Sequence, residues 1–123
     1  MNGNNILLDT NIVLYLLGGD KTLIPILEEK NLYISFITQL ELLSYHGLTE
    51  KDFKKISDFI SQCTVIDITE GIKEITIRLR KQYGLKLPDA IIIGTATWFS
   101  IPVISADQDF SKASEADVII YEN

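Results

Sequence analysis

Apolar residues along the chain fall into short continuous runs that alternate with longer stretches. The short runs are rich in β-branched and aromatic residues and are bounded by polar or turn residues, which is typical of buried strands. They predict strands at 5–8, 32–37, 64–68, 102–105 and 118–121.

The longer stretches carry apolar residues at helical spacing or are apolar all round. Pro25 lies in the first turn of one stretch, and glycines follow the ends of others, at Gly18, Gly19, Gly47 and Gly84. The predicted helices span 11–17, 23–30, 38–45, 50–62, 70–83 and 88–99. Strands that alternate with helices indicate an α/β fold with a parallel sheet covered on both faces. We expect a single domain over residues 1–123.

Composition is that of an ordinary globular protein, with 46% hydrophobic and 23% charged residues. The apolar run at 6–17 is interrupted by polar residues and no basic residue precedes it, so we expect neither a signal peptide nor a membrane span. The single cysteine, Cys63, excludes an internal disulfide framework and favours the reducing cytoplasm. We expect the aromatic residues of the apolar stripes in the core: Tyr15, Tyr33, Tyr45, Phe53 and Trp98.

Acidic residues recur where a predicted strand ends or a helix begins. Asp9 and the pair Asp107 and Asp109 directly follow strands, whereas Glu41 and Asp89 lie near helix starts. Ligand sites of parallel α/β sheets lie beyond the carboxyl ends of the strands. The sequence therefore predicts that the acids after strands face such a site.

Each acid also has an ordinary structural explanation. Asp9 and Asp89 could cap or start helices, and the pair after the fourth strand could shape a turn. Thr38 and Glu41 match the capping box. The acids together indicate a metal site more specifically than any one of them does. Several ionised carboxylates repel one another unless a cation balances their charge. Oxygen ligands without a His or Cys cluster suit Mg²⁺ or Mn²⁺ and do not suit zinc.

At these residues the chain resembles a PIN domain, and most closely a VapC-type toxin ribonuclease. The segments that carry the resemblance, in family order, are LLDTN at 7–11, TQLE at 38–41, KLPDAII at 86–92 and SADQDF at 105–110. The family usually has Thr at the position of Ser105. The resemblance covers essentially the whole length and implies a three-layer α/β/α sandwich with a parallel sheet of about five strands.

The resemblance also implies a function, a metal-dependent endoribonuclease that acts as the toxin of a VapBC-type toxin–antitoxin pair. A metal-activated water would hydrolyse RNA phosphodiesters and leave a 5′ phosphate. Such enzymes usually form homodimers and are inhibited by a VapB-like antitoxin whose C-terminal segment covers the acidic groove. The residues carried over as ligands of Mg²⁺ or Mn²⁺ are Asp9, Glu41, Asp89 and Asp107, with Asn11, Ser105 and Asp109 supporting them.

The charge distribution bears on an RNA substrate. A net charge of −6 argues against binding nucleic acid by bulk electrostatics. Four of the eleven basic residues nevertheless lie just ahead of Asp89: Arg78, Arg80, Lys81 and Lys86. They could contact RNA, with Lys86 the most relevant, or form a solvated helix face with cations near its C-terminus.

Other functions stay open at this point. A PIN nuclease could process RNA without an antitoxin or act on DNA, and a PIN-like fold could serve as a non-catalytic binding module. Phosphatases and phosphoacceptor domains also place Asp at strand ends around Mg²⁺. A haloacid-dehalogenase-like phosphatase, however, needs a second Asp two residues after the first, where this chain has Asn11.

Overall fold

A parallel sheet of five strands forms the centre of the computed structural model, which describes residues 3–122. The strand order is β3-β2-β1-β4-β5, and all four pairings are parallel. The predicted α/β class and parallel sheet are confirmed. The strands are β1 (Asn5–Leu8), β2 (Asn31–Ser35), β3 (Thr64–Ile66), β4 (Val103–Ser105) and β5 (Val118–Ile120).

Helices connect the strands and cover both faces of the sheet, as parallel crossovers require. Within residues 3–122, no helix is long and apolar enough to cross a membrane. A short 3₁₀ helix (Gln108–Lys112) lies between β4 and β5. The α-helices are α1 (Thr10–Leu17), α2 (Leu23–Leu27), α3 (Phe36–Leu43), α4 (Glu50–Ser61), α5 (Glu70–Tyr83) and α6 (Leu87–Phe99).

The buried apolar residues form two clusters, one on each face of the sheet. Leu7 belongs to the cluster that α5, α6 and Phe110 complete, whereas its neighbours Ile6 and Leu8 belong to the cluster completed by α1 to α4. This division follows from the alternation of side chains along a strand. Because β1 is buried on both faces, the acid that follows it is fixed by a rigid element.

The predicted boundary between β2 and α3 is wrong by two residues. The strand ends at Ser35, whose Oγ accepts a hydrogen bond from the Ile37 amide (3.2 Å) and caps a helix that begins at Phe36. Thr38 is therefore a fully buried residue inside α3, and the capping box with Glu41 does not form. The β-forming residues after Ser35 favoured a longer strand, but the serine cap ends it.

Other boundaries differ by a few residues. Predicted helix 23–30 ends at Leu27, since the C-cap Glu28 has a non-helical ψ of 137° and Glu29 then adopts a positive φ of 66°. The helix predicted to end at 45 ends at Leu43, and strand 64–68 ends at Ile66. The expectation of aromatic core residues was wrong for four of the five, which are 37% to 51% exposed: Tyr15, Tyr45, Phe53 and Trp98.

Candidate active site

The acids meet where the strand order changes direction. The chain passes from β1 to β2 on one side of the sheet and later places β4 on the other side of β1. Crevices at such a switch point, beyond the carboxyl ends of the strands, are where α/β proteins bind ligands. Asp9 follows β1 and its amide donates to the Ile104 carbonyl (3.0 Å), so the last residues of β4 lie directly beside it.

Asp9 is the most buried of the candidate acids, at 5% exposure. It is the N-cap of α1, and its Oδ1 accepts from the Thr10 amide (2.7 Å), so the capping interpretation is correct. Its Oδ2 accepts a second hydrogen bond, from the Ser105 hydroxyl (2.6 Å). Each carboxylate oxygen has two acceptor sites, so both oxygens keep capacity for a cation.

Ser105 connects two of the predicted acids. Its hydroxyl donates to Asp9 and accepts a hydrogen bond from the Asp107 amide (2.9 Å). Asp107 in turn caps the 3₁₀ helix, with its Oδ1 accepting from the Asp109 amide (2.9 Å). The turn-forming interpretation of this pair is therefore correct, and it fixes Asp107 next to β4.

Glu41 reaches the same region from α3. Its Oε1 accepts a hydrogen bond from the Thr10 hydroxyl (2.8 Å), so the side chain is held by α1 and not by its own helix end. Glu41 is half-buried. A glutamate on one helix is thus fixed beside the residue that follows Asp9.

The remaining candidates occupy the margin of the site. The side-chain oxygen of Asn11 accepts from the Ala106 amide (3.2 Å), so Asn11 holds the backbone one residue before Asp107. Asp109 forms an ion pair with Lys112 (3.3 Å) on the 3₁₀ helix. Lys112 was not predicted, although a Lys three residues after an Asp in a helical turn is a readable signal.

The pKa values of two acids report the crowding of negative charge. Burial raises the pKa of Asp9 above its ordinary value; hydrogen bonds from Ser105 and Thr10 oppose the rise, and the charges of Glu41 and Asp107 add to it. Proximity of these carboxylates makes the ionised state costly. The acids are therefore close enough to interact electrically, although they come from separate segments.

Asp89 lies in the first turn of α6 and is half-buried. Burial raises its pKa to about 6, with further increases from Asp9, Asp107 and Asp109 and a decrease from Lys86. The rise occurs even though a helix N-terminus favours a negative charge. Asp89 thus joins the same electrostatic cluster from the opposite face of the sheet.

The donor set has the chemistry of a hard-cation site. Among residues 3–122, no three or more Asp, Glu, His or Cys side chains are grouped tightly enough to hold an ion as they stand. The acids that interact electrically nevertheless offer only carboxylate oxygens, which suit Mg²⁺ or Mn²⁺. A cation would relieve the repulsion that raises the pKa of Asp9 and Asp89. By this chemistry, Asp9, Glu41, Asp89 and Asp107 fit a divalent metal.

The four predicted RNA-contact residues are not equivalent in the structure. Arg78 forms an ion pair with Glu115, and Arg80 donates to the Leu85 carbonyl (3.2 Å), so both have structural partners. Lys86 is the exposed residue before α6, close enough to Asp89 to lower its pKa. Lys81 is exposed on α5.

Removal of the Ser105 hydroxyl is expected to lower stability in a pH-dependent way. In Ser105→Ala, the buried Asp9 loses a donor to its charged form, so the free energy of unfolding should fall by about 1–3 kcal/mol at pH 7. The loss should be smaller at pH 4, where Asp9 keeps its proton because burial raises its pKa. Urea unfolding at both pH values measures this difference.

Ser105→Thr is the matched control, because it keeps the hydroxyl. Whatever the added methyl group changes in packing, its effect on stability should be the same at pH 4 and pH 7. A Ser105→Ala effect that does not depend on pH would show that the hydroxyl does not act on the ionised form of Asp9.

The fold and the site together define an α/β protein with an acidic, oxygen-rich cluster at the switch point of a five-stranded parallel sheet. The PIN domain family profile matches residues 6–116, which is most of the chain. The chain therefore belongs to the PIN domain family. No curated protein is significantly similar to it in sequence.

Solved structures support the same fold. A chain of a toxin–antitoxin complex from Klebsiella pneumoniae is 31% identical, with a TM-score of 0.83, over 96% of this chain and 99% of that one. VapBC2 from Rickettsia felis, bound to a DNA fragment from its promoter, gives a TM-score of 0.85 at 19% identity, over 96% and 99%. DNA-bound VapBC from Salmonella typhimurium has a TM-score of 0.81 at 19% identity, over 94% of this chain and 97% of that one.

Proposed function

We propose that this protein is a Mg²⁺- or Mn²⁺-dependent endoribonuclease, the toxin of a VapBC-type toxin–antitoxin pair. The observation that supports the proposal is electrostatic: acids from separate segments of a PIN-domain sheet act on one another, Asp9 with Glu41 and Asp107, and Asp89 with Asp9 and Asp107. Asp9 and Asp89 both have raised pKa values because of burial and of the other acids. Such a cluster is unfavourable without a cation, which is typical of a binding site rather than of a structural one.

Each acid has a defined part in the proposed site. Asp9, Glu41, Asp89 and Asp107 would hold the metal ion, which when bound lowers the pKa of water and balances charge on a phosphodiester. Ser105 lowers the pKa of Asp9 by donating to it, against the rise that burial causes, and accepts a hydrogen bond from the backbone of Asp107. Hydrogen bonds to both oxygens keep the Asp9 carboxylate in one orientation, because the donors belong to a helix and a strand.

Recognition of RNA has to overcome the negative charge of the chain. Two lysines lie beside the acids. Lys86 is close enough to Asp89 to lower its pKa, and Lys112 forms an ion pair with Asp109. We propose that these two lysines contact RNA phosphates beside the metal. Arg78 and Arg80 have a smaller role here, since each already has a structural partner.

The partner of the proposed toxin would be a VapB-like antitoxin. The relative that is 31% identical comes from a toxin–antitoxin complex and is matched over nearly its whole length. An antitoxin segment with a basic side chain would complement the acidic groove. We also propose a cytoplasmic homodimer, and sedimentation of the purified chain tests the dimer directly.

The test is cleavage of a pool of structured RNAs by the purified, antitoxin-free chain, with Mg²⁺, with Mn²⁺ and with EDTA. Cleavage should require metal and should leave 5′ phosphates. Asp9→Asn should be inactive, because it removes the charge of the most buried acid. Asp58→Asn should be fully active, because Asp58 lies exposed on α4 in a surface pair with Lys54.

The outcomes separate the remaining alternatives. Cleavage that survives in Asp9→Asn would contradict the assigned site. Metal binding by calorimetry without cleavage of any RNA or DNA would favour a narrower substrate, and the absence of both would favour a non-catalytic binding module. Cleavage that an antitoxin encoded beside this gene does not inhibit would favour RNA processing over a toxin role.

A further inference from the structure

We propose that Thr10 and Thr38 are positioning residues for Glu41, and that their side chains form a buried hydroxyl relay which fixes this carboxylate next to Asp9. The inference rests on the proposed function, because it concerns an acid assigned there to the metal ion. From the sequence we expected Thr38 only as part of a capping box with Glu41, and the structure shows neither threonine hydroxyl capping a helix.

The relay consists of three oxygen atoms from two helices. Thr10 Oγ1 lies 2.8 Å from Glu41 Oε1 and 3.0 Å from Thr38 Oγ1. Thr10 is 9% exposed and Thr38 is completely buried. Thr38 and Glu41 lie three residues apart on α3, so both face the same part of α1.

The direction of the hydrogen bonds follows from the number of protons. A threonine hydroxyl carries one proton and can accept at two sites, whereas an ionised carboxylate only accepts. The Thr10 proton therefore serves Glu41, and the proton between the two hydroxyls has to come from Thr38. The relay runs from Thr38 through Thr10 to Glu41, and each donor strengthens the next one.

Thr10 contacts two like charges at once. Its backbone amide donates to Asp9 Oδ1 (2.7 Å), and its side chain donates to Glu41 Oε1. A glutamate side chain loses considerable rotamer freedom when it is fixed, and the charge of Asp9 repels it. The relay offsets both effects and holds Oε1, so that the other carboxylate oxygen can bind a ligand.

Metal affinity measures this positioning independently of catalysis. Partners that orient metal ligands contribute about 10- to 100-fold in affinity. By isothermal titration of the metal-free protein with Mn²⁺, Thr10→Val should therefore bind about tenfold more weakly or worse, although its shape is unchanged. Thr10→Ser keeps the hydroxyl and should stay within about threefold of the original chain. Thr38→Val should lose about threefold to tenfold, since it removes only the second donor.

Two further variants show whether the effect passes through Glu41. Thr95→Val removes another buried threonine hydroxyl, which donates within its own helix to the Ile91 carbonyl (2.7 Å), and should leave Mn²⁺ affinity unchanged. In a Glu41→Gln background, Thr10→Val should cause no additional loss, because the carboxylate that it positions is absent.

The possible failures are distinguishable. If the original chain binds Mn²⁺ and cleaves RNA but Thr10→Val binds Mn²⁺ equally well, the relay is overturned and the proposed function stands. Equal weakening in Thr10→Ser and Thr10→Val would also overturn it. If Thr10→Val does not fold, unchanged Mn²⁺ affinity in a folded Thr38→Val would overturn the relay. If the original chain neither binds Mn²⁺ nor cleaves RNA, both proposals fail.

Discussion

Asp89→Asn should abolish cleavage of RNA and at the same time stabilise the metal-free protein. Loss of a carboxylate that holds the metal should lower the rate by about 100-fold or more, since even residues that only orient such ligands contribute 10- to 100-fold. Stability should change in the opposite direction, because burial and three neighbouring acids raise the pKa of Asp89 to about 6. At this position, function requires a carboxylate, whereas the stability of the metal-free protein would be greater without its charge.

The sign follows from proton binding. Between its ordinary pKa of 3.8 and about 6, Asp89 keeps its proton in the folded state and loses it in the unfolded state. The folded state binds more protons here, so the stability that Asp89 contributes is fully present below pH 4 and is lost as the pH rises through 6. A fully shielded group would contribute about 3 kcal/mol. Because Asp89 is only half-buried, screening by solvent reduces the expected change to about 1 kcal/mol.

Thermal or urea unfolding in EDTA at pH 4 and pH 7.5 tests this prediction. Asp89→Asn should be more stable than the original chain by about 1 kcal/mol at pH 7.5 and nearly equal to it at pH 4. Asp58→Asn makes the same charge change on an exposed helix and should not stabilise the protein at pH 7.5, because it only removes a surface pair with Lys54. Adding Mg²⁺ at pH 7.5 should stabilise the original chain more than the variant. A less stable Asp89→Asn at pH 7.5 would contradict the electrostatic description of the site.

The sequence predicted those parts of the fold that depend on local pattern. Short apolar runs identified the strands, and Asp9 after the first of them marked the edge of the sheet where the site lies. Gly84 was a reliable stop signal, because its φ of 68° suits glycine. The end of β2 was missed, since the residues after Ser35 have β-forming side chains and the decisive contact is a single serine cap.

The hydrogen bonds inside the site could not be predicted from the sequence. Ser105 and Asp9 are far apart along the chain, and their contact exists only because β1 and β4 are neighbours. The Thr10–Glu41 contact depends in the same way on how α1 packs against α3. The aromatic residues were misjudged for a related reason, because a helical stripe indicates a face but not where the packed core ends.

Phe110→Ala should cause the largest loss of stability among the variants considered, because it empties the core beneath the acidic loop, the turn that carries Asp107 and Asp109. Phe110 is completely buried and belongs to the cluster between the sheet, α5 and α6. Truncation of a buried phenylalanine costs about 3–5 kcal/mol, through lost burial and the cavity left behind. Folded domains have only about 5–15 kcal/mol in total, so this variant should unfold at a much lower urea concentration.

The same substitution should weaken the site, because Phe110 anchors the 3₁₀ helix that follows Asp107. Its amide donates to the Asp107 carbonyl (3.1 Å), so the loop acid and the core residue belong to one turn. Phe99→Ala, at a phenylalanine that is 43% exposed on α6, is the matched control and should cost less than about 1 kcal/mol. Urea unfolding measures the stability of both variants. RNA cleavage at urea concentrations below the unfolding transition measures the effect on the acidic loop. If Phe110→Ala were as stable as Phe99→Ala, the acidic loop would not depend on this core contact, and the coupling between packing and site would be wrong.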